Sequence, residues 1–275
     1  MTARESAVLF ACEGDELVGV IAEPEKACGD VGVLIVVGGP QYRVGSHRQF
    51  VLLARHLAEA GVSCMRFDYR GMGDAGGGQR DFENVGADIR AAIDVFTTLM
   101  PAVRRVVLWG LCDGASAACF YAPTDERVAG LVLLNPWVKT VQGEASTYLR
   151  HYYLKRLFDM SFWKKLLSGG VSIGRSAGEV LGAAKAATGA EQNDLALPDR
   201  MAEALIRSGK PVQVILSGRD YVAREFERAA ASERWRRALS SAQLLRIDAA
   251  DHTFSSREWR DEVARATHAW VQELA

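Results

Sequence analysis

The side chain best placed to do chemistry is Cys112. It sits in Gly110-Leu111-Cys112-Asp113-Gly114, between the apolar run Val106–Trp109 and the small-residue stretch Ala115-Ser116-Ala117-Ala118-Cys119. Glycines two before and two after a central residue permit a sharp turn from strand to helix, because the two elements can approach with no Cβ between them. A thiol at the tip of such a turn is displayed, and it stands at a helix N-terminus, whose partial positive charge favours the thiolate. The chemistry this suggests is nucleophilic attack on a carbonyl. The pentapeptide alone is equally compatible with a small buried thiol, which is how Cys12, Cys28, Cys64 and Cys119 read.

A nucleophile of this kind needs a base and an acid, which in a strand–turn–helix architecture follow it along the chain, each after its own strand. Asp220 comes just past the run Val212–Leu216, in VQVILSGRD. His252 follows Leu244–Ile247, in LLRIDAADHTF, with a helical segment behind it. In these places His252 would take the thiol proton, Asp220 would orient the imidazole, and Cys112 would form an acyl-enzyme. Asp248 and Asp251 are nearer His252 in sequence but share its loop. His47, His56, His151 and His268 fall on helices or on the insertion described below, where packed or solvated histidines are ordinary. An oxyanion would be held by the backbone N–H of Asp113 and by a second N–H from the turn after Val31–Val37. There Pro40 has none to give, leaving Gly39 or Gln41.

Positioning these groups requires alternating elements. Ser6–Cys12 and Leu17–Ala22 read as a hairpin about Gly14. Val31–Val37, Val62–Asp68, Arg104–Trp109, Gly130–Leu134, Val212–Leu216 and Leu244–Ile247 read as strands. Helices are expected over Ser46–Ala60, with Ser46 as N-cap and Gly61 as stop, over Phe82–Leu99, over Cys112–Tyr121 and over Ser255–Leu274. The pattern is α/β: a mostly parallel sheet with helices on both faces, built from 1–138 and 210–275. Residues 139–209 hold no convincing strand and are expected to form a helical cap inserted over the C-terminal edge of the sheet. Tyr152 and Trp163 in that segment, and Arg43 and Arg48 after the first glycine turn, are candidate substrate-binding residues: the aromatics for an acyl group, the arginines for a carboxylate or phosphate.

Composition narrows the partners. The chain has 275 residues, 49% hydrophobic, with a formal net charge of −1, so it carries no general attraction for nucleic acid or anionic membrane. No segment approaches the roughly 20 apolar residues of a membrane span, and no signal peptide opens the chain, so a cytoplasmic location is expected. The five cysteines are an odd number without a CxxC pair, which argues against a disulfide framework and against zinc. The expected partner is a small acyl ester or thioester, free or carried on CoA or an acyl carrier protein, with no cofactor and no assigned oligomeric state.

Taken in order, Gly38-Gly39, FDYRGMGD at 67–74, GLCDGAS at 110–116, SGRD at 217–220 and ADHTF at 250–254 resemble the α/β-hydrolase superfamily along nearly the whole chain. More narrowly, GLCDGASAA and DHTFS resemble the group called exosortase A system-associated hydrolase 1, bacterial proteins linked to exopolysaccharide gene clusters. The resemblance implies an ester, thioester or acyl-transfer enzyme without metal or cofactor, with Cys112, Asp220 and His252 in the triad places. Two departures stand out: cysteine replaces the common serine, and no histidine precedes Gly38-Gly39. A catalytically silent binding protein on the same fold is the alternative from another class.

Overall fold

A computed structural model describes residues 3–39, 41–139 and 195–275. The chain divides into two compact units, Met1–Val138 with Pro198–Ala275, and Lys139–Leu197. The first unit is built on an eight-stranded sheet: β1 (Arg4–Cys12), β2 (Asp15–Glu23), β3 (Val31–Val36), β4 (Cys64–Asp68), β5 (Arg105–Leu111), β6 (Val128–Leu134), β7 (Val212–Ser217) and β8 (Gln243–Ile247). Its spatial order is β1-β2-β4-β3-β5-β6-β7-β8. The opening hairpin is antiparallel and joins β4 antiparallel, whereas every pairing from β4 through β3 to β8 is parallel.

The apolar runs explain this layout. β3, β4 and β7 are buried at every residue, as strands covered by helices on both faces must be. β8, at the edge, buries only its last residue. The hairpin turns on Glu13-Gly14, both at positive φ (49° and 91°), which is the two-residue turn whose twist matches the strands. Around the sheet lie α1 (Gln49–Glu59), α2 (Gly86–Leu99), α3 (Asp113–Tyr121), α4 (Leu197–Ser208), α5 (Tyr221–Ala230), α6 (Glu233–Ala238) and α7 (Arg257–Leu274).

The boundaries differ from the sequence reading in instructive ways. Ser46 does not cap α1: Gly45, His47 and Arg48 have φ of 74°, 52° and 60°, so the chain makes a short 3-10 turn first and α1 starts at Gln49. Helix α2 begins at Gly86 because Asp81 accepts from Glu83 N and Asn84 Nδ2, holding 81–84 as a turn. Residues 198–209, expected within the insertion, belong to the first unit. There α4 presents Met201, Ala202, Ala204 and Leu205 as a buried stripe, and Arg200 pairs with Glu83 at 2.6 Å. The rest of the expected cap, with Tyr152 and Trp163, lies outside the described residues. No helix among the described residues is long and apolar enough to cross a membrane.

Candidate active site

Parallel pairing brings the C-terminal ends of β5 to β8 to one edge of the sheet. Leu111 is in register with Leu134, Leu134 with Ile215, and Ser217 with Ile247. The residues that follow these ends are Cys112, Asn135, Gly218 to Asp220, and the loop leading to His252.

Cys112 separates β5 from α3 with φ 60° and ψ −124°, a conformation that L residues rarely adopt and that costs on the order of 1–3 kcal/mol. The flanking glycines make it possible. A Cβ on Gly110 would meet Ala115 N at 2.5 Å, and one on Gly114 would meet Val36 O at 2.5 Å. Hydrogen bonds fix the turn, from Cys112 N to Leu134 O (2.9 Å) and from Trp137 N to Cys112 O (3.2 Å). The Cys112 residue is half-buried, whereas Cys12, Cys64 and Cys119 are buried. Burial pushes the thiols of Cys64 and Cys119 far up, which makes them inert.

His252 and Asp220 meet: His252 Nδ1 lies 2.8 Å from Asp220 Oδ2. Asp220 is 8% exposed and also caps α5 by accepting from Ala223 N at 3.0 Å. Burial raises its carboxyl, but the hydrogen bond and charge of His252 and the N–H groups of Ala223 and Val222 outweigh this, and the net shift is downward. Asp220 is therefore an ionised partner for the imidazole. The acid and histidine loops can touch because Gly218 lacks a side chain; its Cβ would lie 2.6 Å from Asp248 Cα. Asp248 pairs with Arg246 at 2.7 Å. Asp251 accepts from Thr253 N and Ser255 N and is bonded to Ser255 Oγ, so it shapes the loop that carries His252.

The turn after β3, where a second oxyanion donor is expected, packs directly on the elbow. Gly38 passes so close that a Cβ would lie 2.6 Å from Leu111 O, and Gly39 has φ 60°. Asp113 N stands in the first turn of α3, where a helix leaves its N–H groups unpaired. The Asp113 side chain turns back toward this region, with Oδ1 buried beside Gly38 and Gly39. Burial pushes its pKa up to about 6; the N–H groups of Gly39, Asp113 and Gly114 and the charge of His252 oppose the rise without cancelling it. Gln41 is half-buried, its Oε1 3.5 Å from Gln49 Nε2.

Of the two arginines expected to meet an anion, Arg43 is already committed. Its guanidinium pairs with Asp68, which is fully buried, and with Asp74 at 2.6 Å, while its backbone N–H donates to Asp68 Oδ1 at 2.6 Å. It fastens the turn after β3 to the end of β4 and the glycine-rich loop that follows. Arg48 is exposed at the N-cap of α1. Asn135, which follows β6 and was given no role from the sequence, is fully buried at φ 42° and bonded to both the acid and the histidine segments. The one available signal was a polar side chain directly after four hydrophobic residues, before Pro136. Among the described residues no group of three or more metal-ligating side chains occurs.

A mostly parallel sheet with a strained cysteine at a strand-to-helix elbow after β5, and an aspartate and histidine paired after β7 and β8, defines a class of α/β protein. The chain belongs to the alpha/beta hydrolase family, whose model matches residues 33–266. In fold it is similar to an esterase of Pyrococcus furiosus (TM-score 0.70, 15% identity, covering 98% of this chain and 91% of that one). It is likewise similar to a dienelactone hydrolase of Anabaena variabilis (TM-score 0.62, 17% identity, 98% of both chains). A polyketide transferase from a Penicillium species is 29% identical over 90 residues, which span 31% of this chain and 31% of that protein.

Proposed function

We propose that the protein hydrolyses an ester or thioester through Cys112, with His252 as base and Asp220 as its orienting carboxylate. The observation that carries this reading is the Cys112 elbow at φ 60° on the same sheet edge as the 2.8 Å His252–Asp220 pair. In this mechanism His252 removes the Cys112 proton and the thiolate attacks the carbonyl carbon. The resulting oxyanion is met by Asp113 N–H and by an N–H of Gly39 or Gln41. Collapse expels the alcohol or thiol, which takes the proton from the imidazolium. His252 then activates water, which releases the acid and regenerates the thiol.

A second reading is acyl transfer to an alcohol or amine. Cysteine is a good leaving group from its own acyl intermediate, so a bound acceptor can compete with water. The short match to a polyketide transferase favours keeping this reading. CoA or an acyl carrier protein would be the natural acyl source.

Intact-protein mass spectrometry after exposure to activated esters and acyl thioesters tests both readings. The expected result is a single acyl adduct lost in Cys112→Ala, with iodoacetamide alkylating Cys112 faster than a denatured control thiol. No adduct across a broad acyl panel, with alkylation no faster than the control, would leave the fold as a binding scaffold. Adding alcohols and amines separates the readings: acyl product in place of free acid marks a transferase.

A further inference from the structure

His252 is held at two points. Its ring meets Asp220, and its backbone carbonyl accepts from Asn135 Nδ2 at 3.0 Å. The same Nδ2 donates to Ser217 Oγ at 2.9 Å, while Asn135 Oδ1 accepts from Ser217 N at 2.9 Å. The amide cannot be turned over, because Ser217 N–H needs an acceptor opposite it. Asn135 is 0% exposed, and its own N–H donates to Ile215 O at 3.1 Å. Both amide hydrogens and the amide oxygen are therefore used, on two chain segments that carry the acid and the histidine.

The neighbours of Asn135 complete the link. Leu134 O accepts from Cys112 N, and Trp137 N donates to Cys112 O, so the segment Leu134–Trp137 that carries Asn135 grips the backbone of the nucleophile on both sides. Ser116 Oγ, in the first turns of α3, holds Trp137 O at 2.6 Å. One short segment thus clamps the Cys112 backbone with its main chain and the His252 backbone with a side chain. The φ of 42° is one that asparagine tolerates better than most residues.

We propose that Asn135 is the positioning residue of the site, setting the placement of His252 against Cys112 and Asp220. The proposal rests on the assignment of Cys112, Asp220 and His252 as the reacting groups. Asn135 touches neither substrate nor the reacting atoms, so its loss acts on turnover and on the thiolate–imidazole pairing, leaving substrate binding intact.

The test uses the whole chain, with p-nitrophenyl acetate as substrate probe and iodoacetamide as thiol probe. Asn135→Gly keeps the backbone conformation and deletes the amide; Asn135→Asp keeps the shape and removes both donors. Each is expected to lower kcat roughly 10–100-fold with KM within about threefold, and to shift the pH profile of Cys112 alkylation toward that of His252→Ala. Ser217→Ala, which spares the bond to His252, is expected to stay within about threefold of wild type. Wild-type kcat and a wild-type alkylation profile in a folded Asn135 variant overturn the proposal. If neither variant folds, Asn135→Ser decides, an intermediate loss of kcat supporting the proposal and wild-type kcat overturning it. A His252→Ala protein with unchanged turnover and profile would instead overturn the triad assignment, a result distinct from failure at Asn135.

Discussion

Cys112 and Asp113 are adjacent and physically opposed. The first needs positive potential to ionise, and the second places a buried carboxyl beside it whose pKa is pushed up to about 6. An acid whose folded pKa exceeds its unfolded value of 3.8 binds more protons when folded, so its ionised form costs stability above pH 6 and the cost fades as pH falls toward 4. Asp113→Asn is accordingly expected to raise stability by about 1–3 kcal/mol at pH 8 and by little near pH 4, in urea unfolding at the two values. Equal gains at both pH values would show that the gain has nothing to do with ionisation. The same variant removes a negative charge beside the thiol, so Cys112 alkylation at pH 7 should accelerate.

At the scale of elements, the site depends on close approach and on a turn tied down by charge. Gly114 brings α3 against the end of β3, where a Cβ would meet Val36 O at 2.5 Å, an atom of the backbone that cannot yield. Gly114→Ala is expected to cost about 2–4 kcal/mol in urea unfolding. Gly78→Ala, whose Cβ meets nothing within 4 Å, should be nearly neutral. The turn after β3 is secured differently, by Arg43 on the buried Asp68. Removing one partner of a buried pair leaves an uncompensated charge, so Arg43→Ala should lower stability by about 3 kcal/mol. If Arg43→Ala instead raised KM for anionic substrates at unchanged thermal midpoint, the arginine would be a ligand contact after all.

Across the whole molecule, α1 and α7 meet through His56 and His268, whose rings cross at 83° with centroids 6.2 Å apart. Burial and then the charge of His268 lower the His56 pKa, against the opposing charges of Glu59 and Asp261, while Arg265 adds to the lowering. The folded state prefers neutral His56, so its contribution is present above the unfolded pKa near 6.5 and is lost as pH falls below it. Thermal unfolding should show a decline between pH 7 and pH 5 that His56→Gln flattens by up to about 1 kcal/mol. An unchanged decline would assign the acid sensitivity to other groups.

What the sequence by itself determined is whatever depends on local pattern. The continuous apolar run Val31–Val37 read as a strand buried on both faces, and β3 occupies Val31–Val36 of it, buried at every residue. Glycines at 110 and 114 around Cys112 announced a turn too tight for side chains, and the backbone adopts it. Chain order put Asp220 and His252 each after its own strand, and the structure brings those two side chains together. Other features depend on partners distant in sequence and were not legible. Arg43 read as a free cation because Asp68 and Asp74 lie 25 and 31 residues away, and only folding delivers them. Helix α4 read as part of the insertion because its buried stripe gains meaning only against the core unit to which it belongs. Asn135 carried almost no signal, since a single polar residue ending a strand is ordinary. Its weight comes from Ser217 and His252, 82 and 117 residues onward, and a hydrogen-bond network among backbones that distant exists only in the tertiary structure.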